Sequence, residues 1–273
     1  MTLERGGRPA APSGLAVIAL VVALALGGCA TVPAGAGATP AQASPVDPWE
    51  SWNRKVFAFN EVVDEAVLKP VAEAYRDVLP QLVRTGIGNV LGNFYDAWSV
   101  ANHLLQGKVQ SGLDMGMRVL SNTFFGLGGL LDPATEMGLT RHSEDFGQTL
   151  GRWGLPDGPF FMLPLLGPST LRDAVGFLVD RQVSPAQLTD TSTARWAIAS
   201  LELINLRANL LQTTQLLDTV ALDKYSFVRD AFLSRRRDLL YDGAPPMETF
   251  EDEGDDPAPA PAPAPASPAP APK

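Results

Sequence analysis

Two histidines, His103 and His142, and one cysteine, Cys29, are the whole imidazole and thiol complement of 273 residues. A Cys/His zinc site is excluded, a multi-histidine metal site nearly so, and no intrachain disulfide can form. A serine hydrolase needs Ser, His and an acid, often with the serine in a G-x-S-x-G elbow. Ser169 lies in Leu166-Gly167-Pro168-Ser169-Thr170, which is not that elbow, and reads better as the N-cap of a helix carrying Arg172 and Asp173. His142, near Glu144 and Asp145, has acids beside it for base chemistry, but such local neighbours are more simply a solvated turn. Gly86-x-Gly88-x-x-x-Gly92 misses the dinucleotide spacing, follows no strand, and is joined by no Walker-type loop. The expectation is a chain without catalysis, cofactor, metal or energy source of its own.

The thiol has another chemistry open to it. Arg5 and Arg8 form a positive start, Leu15 to Leu26 an uncharged run, and Leu26-Gly27-Gly28-Cys29 a small-small-Cys ending. That is the layout of a lipoprotein signal peptide with its lipobox, and the apolar run is too short to span a bilayer as a helix. On this reading residues 1–28 are removed and Cys29 becomes a lipidated N-terminus. The alternative is an N-terminal membrane anchor. By resemblance to bacterial lipoprotein sorting signals, Ala30 rather than Asp after Cys29 favours delivery to the outer membrane.

Loss of Glu4, Arg5 and Arg8 leaves 19 basic against 29 acidic residues, and the body up to Met247 carries 18 against 23. This mild acidity argues against nucleic acid and against a general basic binding surface. Residues 29–46 read as a flexible, uncharged tether, 47–247 as one domain, and 248–273 as an acidic run followed by Pro-Ala repeats that cannot build a core.

The elements that must position any site are helical. Asp47-Pro48-Trp49-Glu50 reads as a helix start with Asp47 as N-cap, and Trp49, Trp52, Val56, Phe59, Val63 and Val67 follow as one apolar stripe. Pro70 and Pro80 punctuate two short helices, and residues 81–105, 108–122, 170–182, 194–217 and 222–240 carry further helical periods. No alternating strand pattern is evident, so the fold class is all-α.

Three uncharged stretches, Ala97–Gly107, Val119–Leu131 and Gly158–Leu171, are each shorter than the roughly 18 residues of a spanning helix and are interrupted by Gly or Pro. They suit either a buried core or short re-entrant hairpins within one leaflet, alongside amphipathic in-plane helices. Gly126, Gly128 and Gly129 would allow tight turns or close approach to an acyl chain.

Several motifs in order resemble the MlaA (VacJ) lipoprotein family over about residues 47–243. They are Asp47-Pro48-Trp49-Glu50 with Asn53-Arg54, Phe57-Ala58-Phe59-Asn60 and Asp64, then Asn122-Thr123 with Gly126 through Asp132-Pro133-Ala134. Asp145-Phe146-Gly147-Gln148-Thr149-Leu150-Gly151 with Trp153-Gly154 follows, then Gly158-Pro159, the run Leu163 to Thr170, Arg172-Asp173, and Asp223 to Arg237 with Tyr225, Arg229 and Asp230.

The resemblance implies a ring-like helical outer-membrane lipoprotein that removes phospholipids misplaced in the outer leaflet through an amphipathic channel. It also implies association with a trimeric porin and delivery of lipid to an MlaC-like periplasmic carrier. Asn60, Asn122, Arg172 and Asp173 are then candidates for a polar lining, each with a helix cap or internal ion pair as its plainer role. Phe57 and Phe59 are expected to be packing residues, and Trp98 and Trp153 interfacial anchors or core. Two other functions remain open on the residues alone: a structural envelope lipoprotein that binds porins without moving lipid, and a hydrolase of envelope lipid.

Overall fold

The computed structural model describes residues 46–246. Cys29, the signal segment 1–28, the tether as far as 45 and the tail from 248 lie outside the described residues. Within that range the chain is all-α apart from one two-stranded hairpin.

The first helix, α1 (Glu50–Val63), does not begin as the sequence suggests. Asp47 is fully buried and caps nothing; Trp49 takes the N-cap position without a side-chain bond. Nor does Pro70 end a helix. A π-helical turn (Asp64–Leu68) joins α1 directly to α2 (Lys69–Val78), with Pro70 in its first turn. Proline has no N–H to offer the preceding turn, and the widened π turn absorbs that loss while the axis continues. Pro80 does break the chain, immediately before α3 (Gln81–Leu105).

Helix α3 returns through Gln106–Lys108 into α4 (Val109–Phe124), against which it packs. A short α5 (Pro133–Glu136) and α6 (Phe146–Arg152) are capped by Asp132 and Asp145, whose carboxylates accept from Thr135 N and Gln148 N. Strands β1 (Phe160–Leu163) and β2 (Gly167–Thr170) pair antiparallel, Phe160 opposite Thr170 and Leu163 opposite Gly167. This hairpin corrects the expectation of no strands; four residues a side are too few to show a period. The cap of α7 (Leu171–Asp180) is Thr170, not Ser169: the Thr170 side chain accepts from Asp173 N. Two 3-10 turns lead to α8 (Ser192–Val220), which lies along α2, and α9 (Lys224–Leu240) closes over α6 and β2.

The packing is inverted relative to a water-soluble bundle. Helix α3 buries Asn93, Asp96, Ser99, Asn102 and His103, a polar stripe at helical spacing. Helix α4 answers with Met115, Arg118, Ser121 and Asn122. Their outward faces carry Val90, Tyr95, Leu104, Leu113, Met117 and Leu120, all exposed. Among the described residues nineteen buried side chains are polar or charged and eleven, Pro185 included, are apolar. In water such an arrangement forgoes about 25 cal/mol for each Å² of apolar surface left exposed. Against hydrocarbon that term vanishes, and the requirement becomes internal satisfaction of polar groups.

The apolar stripe of α1 follows the same inversion. Val56 is buried, but Trp49, Trp52, Phe59 and Val67 are at least half exposed. The apolar core is correspondingly small. One cluster joins Val56, Phe160, Met162 and Tyr225, with Phe57, Phe232 and Leu233 against it; another joins Ala72, Ala208 and Leu211, with Tyr75. Phe57 is therefore a packing residue, edge-on to Tyr225, while Phe59 is not.

Candidate functional site

The interior is held by buried polar hubs, and the motif residues are their members. Asp47 accepts from Asn53 Nδ2 at 2.8 Å, Tyr225 OH at 2.5 Å and Arg229 Nη1 at 3.3 Å. Asn53 also donates to Phe160 O and accepts from Met162 N, so one helix side chain continues the ladder of β1. Asn60 repeats the device two turns later, donating to Leu163 O and accepting from Leu165 N. It thereby fixes the hairpin turn, where Leu165 has a φ of 65°. Arg54 ties α1 to the start of α9 through Asp223 and Ser226. Its guanidinium, with the Ser226 hydroxyl, holds the Asp223 carboxyl well below the usual range.

A second hub lies between α4 and α5. Asn122 donates to Asp132 Oδ1 and accepts from Ala134 N, while Arg118 donates to Asp132, Thr135 and Leu139 O. The turn that follows α4 is closed by Gly128 N to Thr123 O, Gly129 N to Asn122 O and Leu131 N to Gly126 O. Gly128 and Gly129 have φ of 72° and 92°. A Cβ on Gly126 would collide with the Asn122 and Leu131 carbonyl oxygens. The three glycines thus form a rigid turn that projects Phe124, Phe125 and Leu127 outward.

A third hub centres on Arg236, which donates to both Asp145 and Asp173 at 2.5–3.0 Å. Arg172 pairs with Asp157 and Asp173. Burial alone would raise the Asp145 carboxyl, but Arg236 and the α6 backbone outweigh it and hold it below its ordinary value. Gly176 lies on Gly147, where any Cβ would meet the α6 backbone, and Gly151 leaves room for Arg172. Phe146 is edge-on to Trp153. Gly158, with φ of 69°, and Pro159, whose carbonyl accepts from Leu171 N, set the entry to the hairpin and α7. Trp98 donates to Asp180, and the exposed Trp153 donates to Leu105 O.

Asn60, Asn122, Arg172 and Asp173 thus direct their polar atoms to protein partners. None of the four lines either of the two large polar chambers. The first chamber, about 540 Å³, lies among α2, α3 and α8, and presents Arg76, Arg84, Arg141, Asn89, Asn209 and Gln212. The second, about 880 Å³, is bounded by His103, His142, Glu144, Arg235, Asp238 and Asp242. Arg141 lines both. It is held by buried Asp96 at 2.8 and 3.0 Å and lies so close over Gly92 that a Cβ there would strike its guanidinium. Gly88 lines the first chamber, and Asn89 donates to Leu130 O of the glycine turn.

The arginines and amides of the first chamber escaped the sequence reading, although a signal exists. Asn209 and Gln212 follow Asn205 at helical spacing in α8, and Arg84, Thr85, Gly88 and Asn89 share one side of α3. His142 Nε2 lies 2.8 Å from Thr140 Oγ1, and the His142 carbonyl accepts from Ser99 Oγ and His103 Nε2.

The MlaA lipoprotein family model matches residues 45–239. The chain belongs to the MlaA family. It is 36% identical over 227 residues to the intermembrane phospholipid transport system lipoprotein MlaA of Escherichia coli K12, covering 81% of this chain and 88% of that protein. The protein of the same name from Haemophilus influenzae is 29% identical over 230 residues, covering 82% and 90%. A solved structure described as the structural basis for maintenance of bacterial outer membrane lipid asymmetry superposes with a TM-score of 0.63. It shares 36% identity and covers 71% of this chain and 98% of its own. Both relatives are lipoproteins of an intermembrane phospholipid transport system.

Proposed function

We propose that this MlaA family member is an outer-membrane lipoprotein that removes mislocalised phospholipids from the outer leaflet and delivers them for retrograde transport, maintaining lipid asymmetry. Cys29 would carry the anchor, an MlaC-like periplasmic carrier would accept the lipid, and a trimeric porin would hold the protein in place. The observation that carries this reading is the inverted packing around polar chambers. A phospholipid has a charged head and two apolar tails, so its route needs a polar interior and an apolar exterior side by side. The apolar faces suit lateral contact with acyl chains in one leaflet, because no helix among the described residues is long and apolar enough to cross a membrane. The candidate path residues Asn60, Asn122, Gly126, Gly128, Gly129, Arg172 and Asp173 would then shape the route from behind rather than touch the lipid. Net direction would come from removal of lipid downstream, since a passive route cannot favour one side by itself.

A porin-binding protein that moves no lipid would account for the apolar exterior but has no use for a chamber lined by three arginines. The deciding experiment is a deletion strain assayed for surface-exposed phospholipid. Transport requires phospholipid to accumulate in the outer leaflet and complementation to clear it. Unchanged asymmetry in the deletion strain would refute the proposal.

A further inference from the structure

The first chamber has a charge pattern that its hydrogen bonds do not exhaust. Its lining includes three arginines and no carboxylate. Arg84 donates Nε to Leu79 O, and among the described residues no carboxylate pairs with it. Among the described residues Arg76 pairs only with the exposed Asp77, at 3.5 Å. Arg141 commits its Nε to Asp96, which leaves the Nη groups beside Gly92. Asn89, Asn209 and Gln212 add neutral polar groups. Guanidinium groups match phosphate geometry through paired N–H donors, and about 540 Å³ lies within the usual range of roughly 300–1,000 Å³ for a small-molecule pocket.

We propose that this chamber is a phosphodiester seat: Arg76, Arg84 and Arg141 engage the phosphate of a glycerophospholipid, and anionic headgroups are held in preference to zwitterionic ones. The proposal rests on the transport reading and adds a headgroup preference to it. A zwitterionic head brings a cationic amine into a lining with no acid to receive it. The acids Glu144, Asp238 and Asp242 border the second chamber instead, beyond Arg141. Gly88 and Gly92 belong to the glycine run that fails as a nucleotide loop. In α3 they are wall residues, one opening the chamber and the other seating Arg141. A free phosphate ion would satisfy the same guanidinium groups, so the test must separate the two sources.

The full mature protein, purified in detergent, is incubated with vesicles of equal phosphatidylglycerol and phosphatidylcholine, and bound lipid is read by native mass spectrometry. Wild type is expected to carry phosphatidylglycerol in excess. Arg84→Gln and Arg76→Gln should each cut that excess by about tenfold, the weak end of a charge-assisted hydrogen bond, with Arg84→Lys intermediate and helix content unchanged. Arg141 is left intact because Asp96 depends on it. Equal enrichment in wild type and both glutamine variants would overturn the seat while leaving lipid transport standing. Displacement of bound phosphatidylglycerol by inorganic phosphate alone would assign the site to the free anion and overturn the headgroup proposal. A wild-type protein that carries no phospholipid would overturn both readings.

Discussion

Asn53 and Asn60 stand seven residues apart on α1, and each engages both amide atoms with the hairpin backbone. A strand edge needs such partners when it is buried away from water. Asn53→Ala removes three hydrogen bonds and leaves Asp47 with one neutral donor fewer, so a loss of about 2–4 kcal/mol in unfolding free energy is expected from denaturant titration. Asp145 gives a pH-dependent prediction. Its carboxyl is lowered in the folded state, so its contribution is complete above the unfolded value near 4 and is lost as pH falls through the folded one. Stability measured from about pH 7 down to pH 3 should fall, and Asp145→Asn should flatten part of that fall. The motif residues were legible as important, but their roles were not. Asp47 looks like an N-cap in sequence because Asp-Pro-x-Glu is a common helix start, whereas its partners Tyr225 and Arg229 lie far along the chain.

The elements show the same division. The helical periods at 81–105, 108–122 and 194–217 correspond closely to α3, α4 and α8, since period survives whichever side faces inward. What the stripe of α1 faces is not legible in sequence, because an apolar stripe suits a core and a bilayer alike, and here most of it faces outward. The glycine turn after α4 was foreseen as a turn, and its rigidity follows from three backbone bonds that no side-chain pattern reveals. Gly126→Ala sets a methyl group against two carbonyl oxygens, so the turn must shift and with it the Leu130 carbonyl that receives Asn89. A destabilisation of about 1–3 kcal/mol is expected, together with altered outer-leaflet lipid levels in cells carrying the variant. Gly116→Ala, where a Cβ meets nothing within 4 Å, is the matched control and should be near neutral.

At the scale of the whole molecule, packing decides which solvent the exterior suits. Polar side chains fill the interior, apolar ones cover much of the exterior, and chambers lined by arginine open between helices. Bundles that fold in water reverse the first two features, and composition does not distinguish the arrangements, which differ only in which side faces in. The direct measurement is site-by-site solvent accessibility in outer-membrane vesicles. Cys29 is the only native cysteine and is expected to be lipidated, so single cysteines can be placed at will and spin-labelled. Labels at Leu113, Leu127 and Leu178 should collide with lipid-soluble oxygen, and labels at Thr85, Asn209 and Gln212 with a water-soluble relaxation agent. Water-soluble collisions at all six positions would show a body held outside the bilayer and would rule out acyl chains as its surroundings.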